Sequence, residues 1–134
     1  MLLLGRRKYL LADPKRLGRW GERRSERFLN GIGLKTIARN YRCKVGEVDI
    51  VMADDAGTVV FVEVKTRRDE EFANAQDSVG PAKRKKLGSL AKYFIKSYNI
   101  RDKHIRFDVV AVVLGEKGRP QIRHYKNAFI PPGY

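Results

Sequence analysis

Apolar and small residues recur at helical spacing over about 16–31, where Leu17, Gly21, Ser25, Phe28, Leu29 and Ile32 make one stripe. Gly31 and Gly33 supply the stop signal, because glycine accepts the left-handed conformation that ends helices. Residues 1–15 mix short apolar runs with Arg, Lys, Asp and Pro14, and are expected to form an irregular arm. Residues 35–42 are expected as a strand leading into Gly46. Two apolar runs follow, Glu47 to Ala53 and Thr58 to Lys65, around Asp54-Asp55-Ala56-Gly57, which is the strongest hairpin signal in the chain. A loop over 55–57 puts Gly57 where a left-handed residue is wanted. In that register Val51 faces Phe61, Asp49 faces Glu63 and Glu47 faces Lys65 on one face of the sheet. Val48, Ile50 and Met52 line the other face with Val60, Val62 and Val64. Both faces are apolar through the middle, so the strand pair is expected to be covered on both sides.

Residues 66–80 are polar and loop-like, and Pro81 stands near the next helix start. Leu87, Leu90, Ala91, Phe94, Ile95 and Tyr98 form the stripe of a helix over about 81–98, with Lys85, Ser89, Lys92 and Lys96 outward. Lys83 lies one turn before Leu87 on the inward stripe, which directs it toward the sheet. Arg106 to Leu114 reads as a buried strand; Gly115 to Gly118 turns into a last strand at about 120–126, and 127–134 is a tail. The order αβββαββ predicts one domain over 1–134, an α/β fold with a mixed central sheet flanked by helices.

Composition changes the picture through charge. Twenty-nine Lys and Arg against fifteen Asp and Glu leave a formal charge of +14, which favours a polyanionic partner, nucleic acid above all. Cys43 is the only cysteine, so no internal disulfide and no cysteine zinc cluster can form; a half-buried thiol is the simplest reading. His104 and His124 are too few and too scattered for a zinc-hydrolase site, and are expected at the surface or in packing. There is no phosphate-cradling G-x-x-x-x-G-K-[ST] loop. No apolar stretch approaches the roughly 18 residues of a membrane span, and Leu2-Leu3-Leu4 is too short for a secretion signal. A cytoplasmic protein is expected.

The candidate chemistry lies in the hairpin. A carboxylate among β-branched residues is costly unless it is paired, and two facing carboxylates repel unless a cation lies between them. A divalent metal resolves the conflict at Asp49 and Glu63, and Mg²⁺ takes carboxylate oxygens together with water and phosphate. Lys65 points to the face of Glu63 and can hold a water or stabilise phosphate charge. A salt bridge from Glu63 or Glu47 to Lys65 is the plainer alternative. Glu22 flanks the inward stripe of the first helix and adds a third acid, with Glu26 a rival in reach. Asp108, between Phe107 and Val109, suits a structural hydrogen-bonding role. Trp20 is expected to pack in the core rather than stack on bases.

Ordered along residues 18–129, the motifs are Gly18-Arg-Trp-Gly-Glu22, Asn40-Tyr-Arg42, Gly46-Glu-Val-Asp-Ile-Val51, Phe61-Val-Glu-Val-Lys65, Val79 with Lys83, Arg106-Phe-Asp-Val109 and Asn127-Ala-Phe129. This pattern resembles the PD-(D/E)xK nuclease superfamily, which includes restriction endonucleases and archaeal Holliday-junction resolvases. It resembles more closely the YraN family of small bacterial proteins. The resemblance implies a restriction-endonuclease-like fold, with Asp49 and Glu63 as metal-binding acids, Lys65 as catalytic lysine and Glu22 as the additional helical acid. The motif's proline is absent here, and Val48 precedes Asp49. The implied reaction is phosphodiester hydrolysis with Mg²⁺, Mn²⁺ being a possible substitute. Arg67, Arg68, Lys83, Arg84, Lys85 and Lys86 are the candidate phosphate contacts, which would make binding salt-sensitive. DNA is favoured over RNA, with structured or damaged DNA the expected substrate. Resolvases cut as symmetric pairs, so a homodimer is possible by analogy. The competing readings are a binding module with little or no cleavage, and a basic structural partner of a ribosome or DNA-processing protein. Metal dependence separates them.

Overall fold

The computed structural model describes residues 2–68, 79–115 and 120–134. Its elements are α1 (Leu2–Leu11), α2 (Pro14–Gly31), β1 (Lys35–Cys43), β2 (Gly46–Ala53), β3 (Val59–Arg67), α3 (Pro81–Ser97), β4 (Ile105–Val113) and β5 (Gln121–Tyr125). The strands form one mixed sheet in the order β1-β2-β3-β4-β5. Only the β3–β4 pair is parallel; β1–β2, β2–β3 and β4–β5 are antiparallel. The fold is therefore α/β, as the element order predicts, with one further helix at the start. The turn expected at 115–118 and most of the 66–80 loop lie outside the described residues.

Each helix covers one face. On the α2 side, Trp20 and Leu29 pack with Ile50, Met52, Val60, Val62, Val110 and Val112. On the α3 side, Leu87, Leu90, Ala91 and Phe94 pack with Val51, Phe61, Phe107 and Val109. The hairpin is thus buried on both faces, which explains why its sequence is apolar at successive positions. Its register has Val51 opposite Phe61. Its loop over 55–57 is closed by Asp54 N–H to Thr58 O (3.1 Å), with Gly57 at φ 85°, in the left-handed region that glycine suits.

Four expectations are corrected. Residues 2–11 form helix α1 rather than an irregular arm; Leu10 is buried, and Arg7 Nε donates to Gly115 O at 2.7 Å. The inward face of α2 includes Trp20, 3% exposed, whereas Phe28 and Ile32 face outward at 37% and 56%. The indole offers more apolar area than either, so its burial sets the rotation of the helix. Val48 packs on the α3 side with Val51, not with Ile50 and Met52. Residues 127–134 are docked rather than loose: Ala128 N–H bonds Phe107 O at 2.8 Å, and Tyr134 Oη donates to Gly88 O at 2.6 Å. No described helix is long and apolar enough to cross a membrane.

Candidate active site

The displacement of Val48 locates the site. Strict alternation would put residues 48, 50 and 52 on one face, yet the pattern breaks between Val48 and Val51, at Asp49. Beside this break in β1, Asn40 has φ 48°, a left-handed backbone uncommon for a side-chain-bearing residue. The β2–β3 ladder ends at Ile50–Val62. Past that point the Val64 N–H donates to Asp49 Oδ2 at 2.7 Å, so a side chain takes the place of the next backbone acceptor. Asp49 and Glu63 therefore meet where the two strands part, at the end of the sheet away from the hairpin loop.

Glu63 is buried at 5% exposure, while Asp49 is half-buried. Burial, and then the charge and hydrogen bonding of nearby Glu63, push the Asp49 carboxyl up to about 8; Glu22 adds to this, and the Val64 N–H opposes it. From α3, Lys83 Nζ reaches Glu63 Oε2 at 3.1 Å, the inward direction its stripe position predicts. From α2, Glu22 accepts a 2.7 Å hydrogen bond from Asn40 Nδ2 and lines a cleft with Asp49. Gly21, beside it, lets α2 approach β3 closely: a Cβ there would overlap Thr66 Oγ1. Lys65 is half-buried on β3, two positions beyond Glu63 and so on the same side of the strand.

The alternative partners for Lys65 are otherwise engaged, since Glu63 pairs with Lys83 and Glu47 with Arg42 at 2.9 Å. Glu26 is committed as well, bonded to Arg39 and to Thr36 Oγ1 at 2.6 Å; the Arg39 contact is the leading cause that lowers its carboxyl pKa. Among the described residues no three His, Cys, Asp or Glu side chains form a ready metal cluster. Two carboxylates suffice for Mg²⁺, which keeps several waters and takes phosphate oxygens. The oxygen donors of Asp49 and Glu63, mutually repelling where they meet, suit such a cation.

The candidate phosphate contacts divide. Arg67, Arg68, Lys85 and Lys86 are exposed. Arg84 is committed to the fold, donating to Val79 O at 2.7 Å with its guanidinium 5.1 Å from the Phe129 ring. Asp108, 1% exposed, accepts from Arg106 Nε and Nη2 (2.9 and 3.0 Å) and from the Asn127 N–H (2.9 Å), and its other contact is His124 Nε2 at 2.6 Å. Burial alone would raise its pKa, but the contacts with His124, Arg106 and Asn127 together hold it low. This is the structural role expected of Asp108. His124 was missed as its partner, because the pair is sixteen residues apart and meets only through the β4–β5 register.

An α/β domain with a carboxylate pair at the parting of a two-sided hairpin, and a lysine two residues on, has the outline of a nuclease-like domain. The model of the "Uncharacterised protein family UPF0102" matches residues 21–112. The chain belongs to that family, which is the YraN family that the ordered motifs resemble. A "UPF0102 protein" of Geotalea uraniireducens (strain Rf4) is 43% identical over 118 residues, covering 88% of this chain and 92% of the relative. Another, from Mycolicibacterium gilvum (strain PYR-GCK), is 41% identical over 112 residues, covering 83% and 91%. Two solved structures show partial likeness. "Structure of EndoMS-dsDNA2 complex" matches with TM-score 0.34 and 23% identity over 56% of this chain and 26% of that one. "The structure of Pyrococcus Furiosus SfsA in complex with Ca2+" matches with TM-score 0.36 and 15% identity over 85% and 64%. The chain spans less than two thirds of either solved chain.

Proposed function

We propose that this protein is a Mg²⁺-dependent nuclease that hydrolyses phosphodiester bonds, with structured or damaged DNA as its preferred substrate. The observation that carries the reading is the meeting of Asp49 and Glu63, with Asp49 pushed up to about 8 beside a second acid. A purely structural hairpin has no use for two repelling carboxylates at its parting end, and each half-paired buried charge costs several kcal/mol. Asp49 and Glu63 hold the cation, which when bound supplies charge neutralisation to the phosphodiester. The ammonium of Lys65 orients a water for in-line attack and stabilises the developing phosphate charge. Glu22, steadied by Asn40, accepts hydrogen bonds from further waters at the mouth of the cleft. The charge of +14 brings the polyanion to the site.

A second reading, a nucleic-acid-binding module without cleavage, has one observation in its favour: Lys83 already pairs with Glu63. Nicking of supercoiled plasmid in Mg²⁺ or Mn²⁺, compared with EDTA, tests the choice. Metal-dependent nicking supports the nuclease; retardation of the plasmid without nicking in either metal supports the module.

A further inference from the structure

One feature of the α2 side has no place in the expected set of phosphate contacts. A cleft of about 370 Å³ lies between α2 and the β1–β2 edge, lined by Arg19, Glu22, Arg23, Glu26, Arg39, Asn40, Asp49 and Ile50. Two of its acids are committed, Glu22 to Asn40 and Glu26 to Arg39 and Thr36. Arg19 and Arg23 differ: they are exposed, stand one helical turn apart, and among the described residues make no ion pair. The cleft therefore has two uncommitted guanidinium groups in its wall, with Asp49 in the same lining. Its volume falls at the small end of ligand sites, which suits a single nucleotide. Guanidinium forks match phosphate oxygens two at a time.

We infer that this cleft seats one nucleotide of the strand being cut, next to the scissile phosphodiester, with Arg19 and Arg23 holding its phosphate. The inference rests on the proposed nuclease reading and deepens it by naming a contact on the α2 side. Lys83, Lys85 and Lys86 approach from α3, on the other face of the sheet. The strand is thus gripped from both sides of Asp49 and Glu63, and the site takes a single strand, frayed or displaced from a duplex.

The test is binding of a fluorescent single-stranded DNA oligonucleotide in EDTA, followed by anisotropy across a NaCl series. Wild type is compared with Arg19→Ala/Arg23→Ala, and with Lys96→Ala/Lys103→Ala, which removes the same charge from exposed sites elsewhere. Each pair lowers the net charge of +14 by two. The arginine pair is expected to weaken binding about tenfold and to flatten the log K against log[salt] slope by about 1.4, at ~0.7 per phosphate contact. The lysine pair is expected to change both far less. Arg19→Lys/Arg23→Lys keeps the charge but loses the forks, and should fall between wild type and the alanine pair. Unchanged thermal midpoints show that each variant is folded. If the arginine and lysine pairs bind alike, the cleft assignment is overturned while cleavage by wild type leaves the nuclease reading standing. Wild type that neither binds nor cuts overturns both.

Discussion

Replacing Asp49 by Asn is expected to stabilise the protein at neutral pH, an unusual outcome for a residue placed in a candidate site. The folded state holds the Asp49 carboxyl up at about 8, against 3.8 for the free side chain. Between those values the folded chain keeps a proton that the unfolded chain releases, so stability falls as pH rises through the window. At ~1.4 kcal/mol per pH unit, the loss at pH 7 reaches about 4 kcal/mol. Water reaching the half-buried carboxyl screens this to about 2 kcal/mol. Asparagine removes the ionisation and keeps an oxygen to accept the Val64 N–H, so that hydrogen bond survives. Thermal unfolding at pH 7 should show the variant melting about 6 °C above wild type, at ~3 °C per kcal/mol for a domain of this size. The gap should narrow toward acid pH, where both carboxyls are neutral. Millimolar Mg²⁺ should narrow it too, by stabilising the wild-type pair alone. A variant that melts at or below wild type at pH 7, or a gap that does not depend on pH, refutes the reasoning.

Other outcomes follow from the packing. Gly21→Ala sets a Cβ against Thr66 and should cost about 2 kcal/mol by thermal unfolding; adding Thr66→Ala should restore most of it. Asp108→Asn leaves Arg106 without its buried anion and should cost about 3 kcal/mol in urea unfolding. Because the Asp108 pKa is lowered by folding, its contribution is complete above the usual carboxylate range and is lost as pH falls through the folded value. The difference between wild type and this variant should therefore shrink in acid. Lys83→Ala strips the buried Glu63 of its cation and should cost about 1–2 kcal/mol, with Mg²⁺ recovering part of the loss in a calorimetric scan.

Much of this was legible in the sequence where local pattern and tertiary structure agree. The paired apolar runs and Gly57 specify the hairpin and its Val51–Phe61 register, because one residue of slip would turn every side chain to the wrong face. The stripe from Leu87 to Phe94 specifies α3, and Lys83 one turn earlier points to Glu63 as that spacing requires. What stayed hidden depends on contacts between distant residues. Helix α1 carries no helical period, and one of its ties is the bond from Arg7 to Gly115, 108 residues away. The break of alternation at Asp49 is not a property of Gly46-Glu-Val-Asp-Ile-Val51 alone; it accompanies the left-handed Asn40 of the neighbouring strand. Pattern reasoning assumes regular pleating, so it placed Val48 on the wrong face at the very point where the candidate acids gather. Lys65 was a natural partner for Glu63 by spacing, but Lys83 takes that role through the packing of α3 on the sheet.

The most direct test of the central claim is cleavage of labelled single-stranded, duplex, flap and four-way-junction DNA in Mg²⁺ and Mn²⁺, by wild type and by a Glu63→Ala/Lys65→Ala double variant. The account predicts metal-dependent cutting by wild type, strongest on a branched substrate, and none by the variant at equal binding. Cutting that persists in the variant, or a wild type that binds every substrate and cuts none, contradicts it.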